Sequence, residues 1–205
     1  MRDIDSIMNA APVIPVLVIE RIEDAVPIAR ALVEGGLPVL EVTMRTPIAL
    51  DAIRAMKTVE GAIVGAGTVL NPDQLAMAQA AGAEFAVSPG LTERLGAAAA
   101  ASSIPLLPGV ATAGEMMRAL DLGFTRLKFF PAVAAGGIAA LKGHAAVFGG
   151  LRFCPTGGIT LDTARDWLAL PAVACVGGSW LVSAGAAPEA IVANARQAAA
   201  LRKPA

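Results

Sequence analysis

The chain has 205 residues, a formal net charge of −1, 56% hydrophobic residues and only 16% charged ones. That length suits one domain with a sizeable core. The near-neutral charge, with Arg202-Lys203 as the longest basic run, gives no electrostatic reason to expect a nucleic-acid partner.

Each apolar run is cut by Gly, Pro or a charge well before the ~18 residues a membrane helix needs, so no membrane partner is expected. The start, Met1-Arg2-Asp3-Ile4-Asp5, lacks the apolar core of a secretory signal, and a cytoplasmic location is the expectation. Residues 3–10 read as a short helix ahead of the first strand, suited to plugging a barrel bottom. Strand-like apolar runs follow at 13–19, 39–43, 62–66, 85–87, 104–107, 126–130, 151–154 and 173–176. Helical spacing fills the gaps. In 24–34, Ala25, Ile28, Ala29 and Leu32 form one stripe, and in 47–56 the stripe is Ala49, Ile53 and Met56. The segment 96–101 is alanine-rich and suits a packed helix.

The punctuation agrees. Asn71-Pro72-Asp73-Gln74 is a helix start with Asn as N-cap and Pro in the first turn. Thr112 and Thr160 are further N-caps. Gly35-Gly36, Gly82 and Gly123 stand where helices end in a left-handed residue. Eight strands alternating with eight helices predict an α/β fold, a (β/α)8 TIM barrel forming a single domain over 1–205. A doubly wound open sheet is the alternative. It would carry a Gly-rich turn after its first strand, where this chain reads Val18-Ile19-Glu20-Arg21.

Barrel active sites lie at the C-terminal ends of the strands. Of the four lysines, 57, 142 and 203 fall on predicted helices or the tail, and Lys128 alone sits inside a strand. Alternation sends Lys128 and Phe130 to one face, and Leu127 and Phe129 to the other. An ammonium facing the barrel interior is costly to desolvate, which favours the neutral amine that attack on a ketone requires. A structural ion pair with a buried carboxylate is the competing explanation. Glu41 and Thr43 share a face of the second strand, and Glu41 is placed to pair with Lys128 or to move protons for it. Arg45, at the end of that strand, suits a bidentate grip on a substrate carboxylate. A loop ion pair with Asp51 or Glu20 is the bland account of it.

Thr156-Gly157-Gly158 and Gly177-Gly178-Ser179 follow the seventh and eighth strands, the recurrent phosphate site of such barrels. Tight strand-to-helix turns would also use such glycines. The single histidine, His144, falls on a predicted helix away from the mouth and reads as a surface residue. Cys154 and Cys175 have no metal-type spacing and read as buried thiols in adjacent strands. No metal and no cofactor are expected, and the chemistry falls to Lys, Glu, Arg and Thr.

Six segments taken together resemble one family. They are Val39-Leu40-Glu41-Val42-Thr43-Met44-Arg45-Thr46, Gly65-Ala66-Gly67-Thr68-Val69-Leu70, Ser88-Pro89-Gly90, Lys128-Phe129-Phe130-Pro131-Ala132, Pro155-Thr156-Gly157-Gly158-Ile159 and Gly177-Gly178-Ser179-Trp180. Their order and spacing are similar to the 2-keto-3-deoxy-6-phosphogluconate aldolase / 4-hydroxy-2-oxoglutarate aldolase family, over about residues 6–183. The resemblance implies a class I aldolase of the Entner–Doudoroff pathway, typically a homotrimer. It would take a phosphorylated 2-keto acid to pyruvate and glyceraldehyde 3-phosphate, and 4-hydroxy-2-oxoglutarate to pyruvate and glyoxylate. It further implies Lys128 as the Schiff-base lysine and Glu41 as the general acid/base. Arg45 and Thr68 would hold the carboxylate and ketone end. Pro89, Phe130 and Thr156 would line the pocket, and Gly157, Gly158, Gly178 and Ser179 would hold the phosphate. One departure is Val133, where family members tend to carry an acidic residue, which bears on substrate preference or a subunit contact.

Other readings stay open at this stage. The substrate could be the galactonate-derived epimer. A phosphate-handling isomerase or epimerase would need an acid and a base facing each other, and Glu41 is the only carboxylate placed inside. A silent sugar-phosphate-binding barrel would have no use for Lys128 beside Glu41.

Overall fold

The computed structural model describes residues 3–201; Arg202 and Lys203 lie outside them. Asp3 caps the first helix, α1 (Ile4–Asn9), by accepting from the Ser6 N–H, and α1 buries Ile7 and Met8. Then come β1 (Val13–Leu17), α2 (Ile22–Glu34), β2 (Val39–Thr43), α3 (Ala49–Met56), β3 (Ile63–Gly67) and α4 (Pro72–Ala80). They are followed by β4 (Ala86–Val87), α5 (Glu93–Ala100), β5 (Leu106–Leu107), β6 (Gly109–Val110), α6 (Ala113–Asp121), β7 (Arg126–Phe129) and α7 (Gly137–Val147). The last are β8 (Arg152–Pro155), α8 (Leu161–Leu168), β9 (Val176–Gly178) and α9 (Pro188–Ala199). All strand pairing is parallel. Six strands run in the order β5-β4-β3-β2-β1-β9 as a half-barrel, and β6-β7-β8 form a second sheet. Thr156 and Gly177 make a parallel bridge between β8 and β9.

The helix signals act as read. Asn71 accepts from Gln74 N–H ahead of Pro72, and Thr112 and Thr160 cap α6 and α8 through capping boxes. Gly36, Gly82 and Gly123 take positive φ where helices end, whereas Gly35 stays right-handed.

Two strands differ from the sequence reading. The fifth run, read as 104–107, is a strand only over Leu106–Leu107, and pairing resumes as β6 beyond Pro108, which has no N–H to give a ladder. Leu107 O accepts from Ser88 N–H on one side, and Pro108 O accepts from Lys128 N–H on the other, so the chain changes partner across the proline. The last run is interrupted: Val173 makes an isolated parallel bridge to Phe153 while its own N–H goes to Leu170 O, and the continuous strand begins only at Val176.

Alternation divides the interior in two. One apolar cluster joins Leu40, Val42, Leu127 and Phe129 to the helices. The other joins Ile7 and Met8 of α1 to Ile14, Val39, Ile63, Phe85, Val87 and Leu107, with both cysteines. The second lies on the inner face of the strands, with α1 plugging its N-terminal end. Arg126, on that face, is gripped by the Asp5 carboxylate of α1. No helix of the described residues is long and apolar enough to cross a membrane.

Candidate active site

Two strands bring one acid and one base together. Val39, Glu41 and Thr43 share the inner face of β2, and Lys128 faces inward from β7. Glu41 and Lys128 are only 3% and 6% exposed. Lys128 Nζ donates to Glu41 Oε1 across 3.1 Å and stands 5.3 Å from the centre of the Phe130 ring. Among the described residues Glu41 is the only buried carboxylate. The pairing expected from alternation is therefore present, and it has the geometry a proton transfer needs.

The strand ends supply the surroundings. Thr43 Oγ1 donates to Leu17 O at 2.9 Å, joining the ends of β2 and β1, and Thr46 Oγ1 to Ile19 O at 2.8 Å, fastening the loop after β2 to the loop after β1. Arg45 is exposed on that second loop. The loop ion pair foreseen as its alternative does not form, since Asp51 is taken by Arg54 at 2.6 Å and Arg45 pairs with no described carboxylate. Thr68, just past β3, has φ +60, the single non-glycine residue in the left-handed region among the described residues. Strain at a β-branched residue persists where the surroundings impose it, and it clusters at functional sites. Ser88 Oγ donates to Gly90 O at 2.7 Å, which shapes the loop carrying Pro89. That loop packs on the bare Cα of Gly109.

The loops after β7 and β8 are knitted together. Ala132 N–H donates to Thr156 O and Val133 N–H to Gly157 O, at 2.8 and 3.1 Å. The Val133 side chain is 51% exposed and lies against Gly158, where a Cβ would meet it at 2.9 Å. Gly157 and Gly158 have φ +105 and +77, a conformation that favours glycine and turns the backbone at the end of β8. Thr156 is buried, and Gly178 is buried under the Trp180 ring while Ser179 is exposed. The Trp180 indole Nε1 is buried without a partner.

The structure thus places Glu41 and Lys128 within β2 and β7, and the other site residues expected from sequence at or just past the C-terminal ends of β2, β3, β4, β7, β8 and β9. Direct contact to Lys128 is made by Glu41 and Phe130. His144 corrects an expectation: on α7 it is half-buried, edge-on to Phe129 with centroids 6.2 Å apart, and not a plain surface residue. Cys154 and Cys175 are buried. Among the described residues no group of three His, Cys, Asp or Glu could hold a metal ion. A surface groove between α2 and α9 is lined by Arg30, Glu34, Glu189 and Arg196 around an apolar floor, and it holds no buried ionisable pair. Thr43, Thr46 and Ser88 matter more than sequence suggested, because their partners are loop carbonyls that only the register reveals.

A parallel α/β sheet carrying a buried lysine–carboxylate pair at its strand ends, beneath glycine-rich loops, defines an enzyme of the carbon–carbon lyase type. The chain belongs to the KDPG and KHG aldolase family, whose model matches residues 4–196. A relative from Zymomonas mobilis subsp. mobilis, named 2-dehydro-3-deoxy-phosphogluconate aldolase, is 60% identical over 99% of this chain and 98% of its own length. The 2-keto-3-deoxy-6-phosphogluconate aldolase of Zymomonas mobilis ZM4, solved with 3-phosphoglycerate, superposes with a TM-score of 0.97 at 60% identity, covering 99% of this chain and 98% of that one. KDPG aldolase from Legionella pneumophila, with pyruvate captured at low pH as a covalent carbinolamine, gives a TM-score of 0.91 at 47% identity, covering 95% and 97%.

Proposed function

We propose that this chain is a class I aldolase that cleaves 2-dehydro-3-deoxy-6-phosphogluconate to pyruvate and glyceraldehyde 3-phosphate. At the same site it cleaves 4-hydroxy-2-oxoglutarate to pyruvate and glyoxylate. The observation that carries this reading is the 3.1 Å contact between buried Lys128 and Glu41. The family's KDPG and KHG description and the carbinolamine of the Legionella pneumophila relative support the substrates and the chemistry.

Neutral Lys128 attacks the C2 ketone to give a carbinolamine, and loss of water gives a protonated imine. That imine accepts the electron pair of the C3–C4 bond as it breaks, and the C4 hydroxyl proton passes to Glu41. The enamine takes a proton at C3, and hydrolysis releases pyruvate and the free lysine. A base so placed contributes about 10²–10⁴-fold. Arg45 and Thr68 hold the carboxylate and ketone end, and Pro89, Phe130 and Thr156 line the pocket. Gly157, Gly158, Gly178 and Ser179 take the phosphate, using binding energy remote from the reacting bond.

We further infer a closed eight-unit barrel and one domain over 1–205. The step from β5 to β6 across Pro108 and the Thr156–Gly177 bridge support closure. A homotrimer is supported by Leu70, Met77, Met117 and Val147, all large, apolar and exposed. A cytoplasmic location fits two buried cysteines that are not bridged to each other. The test is borohydride reduction in the presence of pyruvate, read by intact and peptide mass. A lactyl-sized adduct on Lys128, absent from Lys128→Ala, is the expected result. No adduct under conditions that trap a known imine enzyme overturns the reading.

A further inference from the structure

Gly67 ends β3 in register with Thr43, and its backbone gives no reason for glycine. Its φ lies outside the left-handed region, and a glycine inside a strand costs conformational entropy without a side chain to pack. The reason lies on the neighbouring strand. A Cβ built on Gly67 would lie 2.6 Å from Glu41 Cγ and 2.8 Å from Cδ, and closer still to Oε1. That Oε1 is the atom that accepts from Lys128 Nζ. Glu41 reaches the lysine by leaning toward the strand end over a position with no side chain. Gly177 repeats the construction for Thr156: a Cβ there would lie 2.8 Å from Thr156 Cγ2, and closer to Oγ1, and again no positive φ asks for glycine.

We propose that Gly67 is a positioning residue of the aldolase reaction, its missing side chain being the space in which the Glu41 carboxylate is set against Lys128. The proposal rests on the aldolase reading. Relief of the contact to an ordinary carbon–carbon separation of about 3.5 Å moves the carboxylate by about 1 Å. Displacements of that size cost about 10²-fold in rate. The three atoms nearest the added methyl all belong to Glu41, so the displacement falls first on the carboxylate, and imine formation is read apart from proton transfer.

The experiment compares wild type, Gly67→Ala, Glu41→Ala and the double variant. Readouts are kcat and KM for 2-dehydro-3-deoxy-6-phosphogluconate, exchange of the pyruvate methyl protons with heavy water, and the equilibrium yield of the borohydride adduct. Gly67→Ala is expected to lose about 10²-fold in kcat and in proton exchange with KM little changed, while the adduct yield persists. In the double variant the methyl meets no carboxylate, so its kcat equals that of Glu41→Ala alone. Wild-type rates in Gly67→Ala, or penalties that multiply in the double variant, overturn the proposal. If Gly67→Ala does not fold, a soluble, cooperatively melting double variant supports the same collision, and an equally unfolded one overturns it. The wild-type adduct tests the aldolase reading independently of all four comparisons.

Discussion

Removal of the Glu41 carboxylate, as Glu41→Leu, is a perturbation whose cost can be worked from the geometry. The two side chains are 7% and 4% exposed and 3.1 Å apart, so the substitution leaves a buried amine with no counter-charge. Breaking such a pair from one side costs about 3–5 kcal/mol. The expected loss at neutral pH is therefore about 3–5 kcal/mol. Adding Lys128→Met replaces the pair with apolar groups of similar size and recovers stability to within about 1.5 kcal/mol of wild type. Urea unfolding at fixed protein concentration and neutral pH reads both quantities. A loss under about 1 kcal/mol, or a double variant no better than the single, refutes the reasoning.

Three more outcomes are expected. Glu115 accepts from the Ala111 and Thr112 N–H groups at 2.7 and 2.9 Å. Burial pushes its carboxyl upward, but those bonds, the Thr112 side chain and Arg118 together hold it below its ordinary value. The stability it gives is thus present above the usual glutamate range and lost as pH falls through the lower folded value. Glu115→Ala should cost about 1 kcal/mol at neutral pH in thermal melts and flatten the acid limb. For α1, the buried Met8→Ala should cost about 2–5 kcal/mol, against about 1 kcal/mol or less for Asp5→Asn, whose ion pair is half in solvent; the reverse order in denaturant melts would show that charge holds the plug. Arg45→Ala should raise KM about 10–100-fold, the worth of a charge-assisted bond, leave pyruvate trapping at saturation unchanged, and alter unfolding by less than about 0.5 kcal/mol because Arg45 has no described ion pair to lose.

Much of this was legible because a charged residue within an apolar strand has few explanations. Lys128 in Leu127-Lys128-Phe129-Phe130 and Glu41 in Leu40-Glu41-Val42 declared their face by alternation alone. Capping was equally local, resting on residues three apart. The illegible parts depended on neighbours distant in sequence. Whether Gly67 serves a turn or a carboxylate depends on the register of β2 against β3. The split of the fifth strand depends on Pro108 lying between two partners, and the packing of His144 on Phe129 depends on how α7 crosses β7. The strain at Thr68 had no sequence signal, since threonine is a poor choice for φ +60 on its own.

The inner face of the strands changes character along its length, and this accounts for where the proposed chemistry sits. Along β2 it runs Val39, Glu41, Thr43; along β3 it runs Ile63, Gly65, Gly67. From β8 it passes Cys154 to Thr156, and into β9 Cys175 to Gly177. Apolar bulk fills the N-terminal layer, where α1 adds Ile7 and Met8, and the C-terminal layer is polar or bare. Such a gradient separates stability from reactivity, because a polar layer throughout would leave too little apolar burial to hold its charges in place. The strand β7 breaks the gradient, with Arg126 at the bottom and Phe130 at the top. Its exception has a local cause: Asp5 of the plug helix meets the arginine, holding the guanidinium's proton more firmly than usual. The lower charge is thereby neutralised from outside the strands, which leaves Glu41 to pair with Lys128 alone within the buried layer.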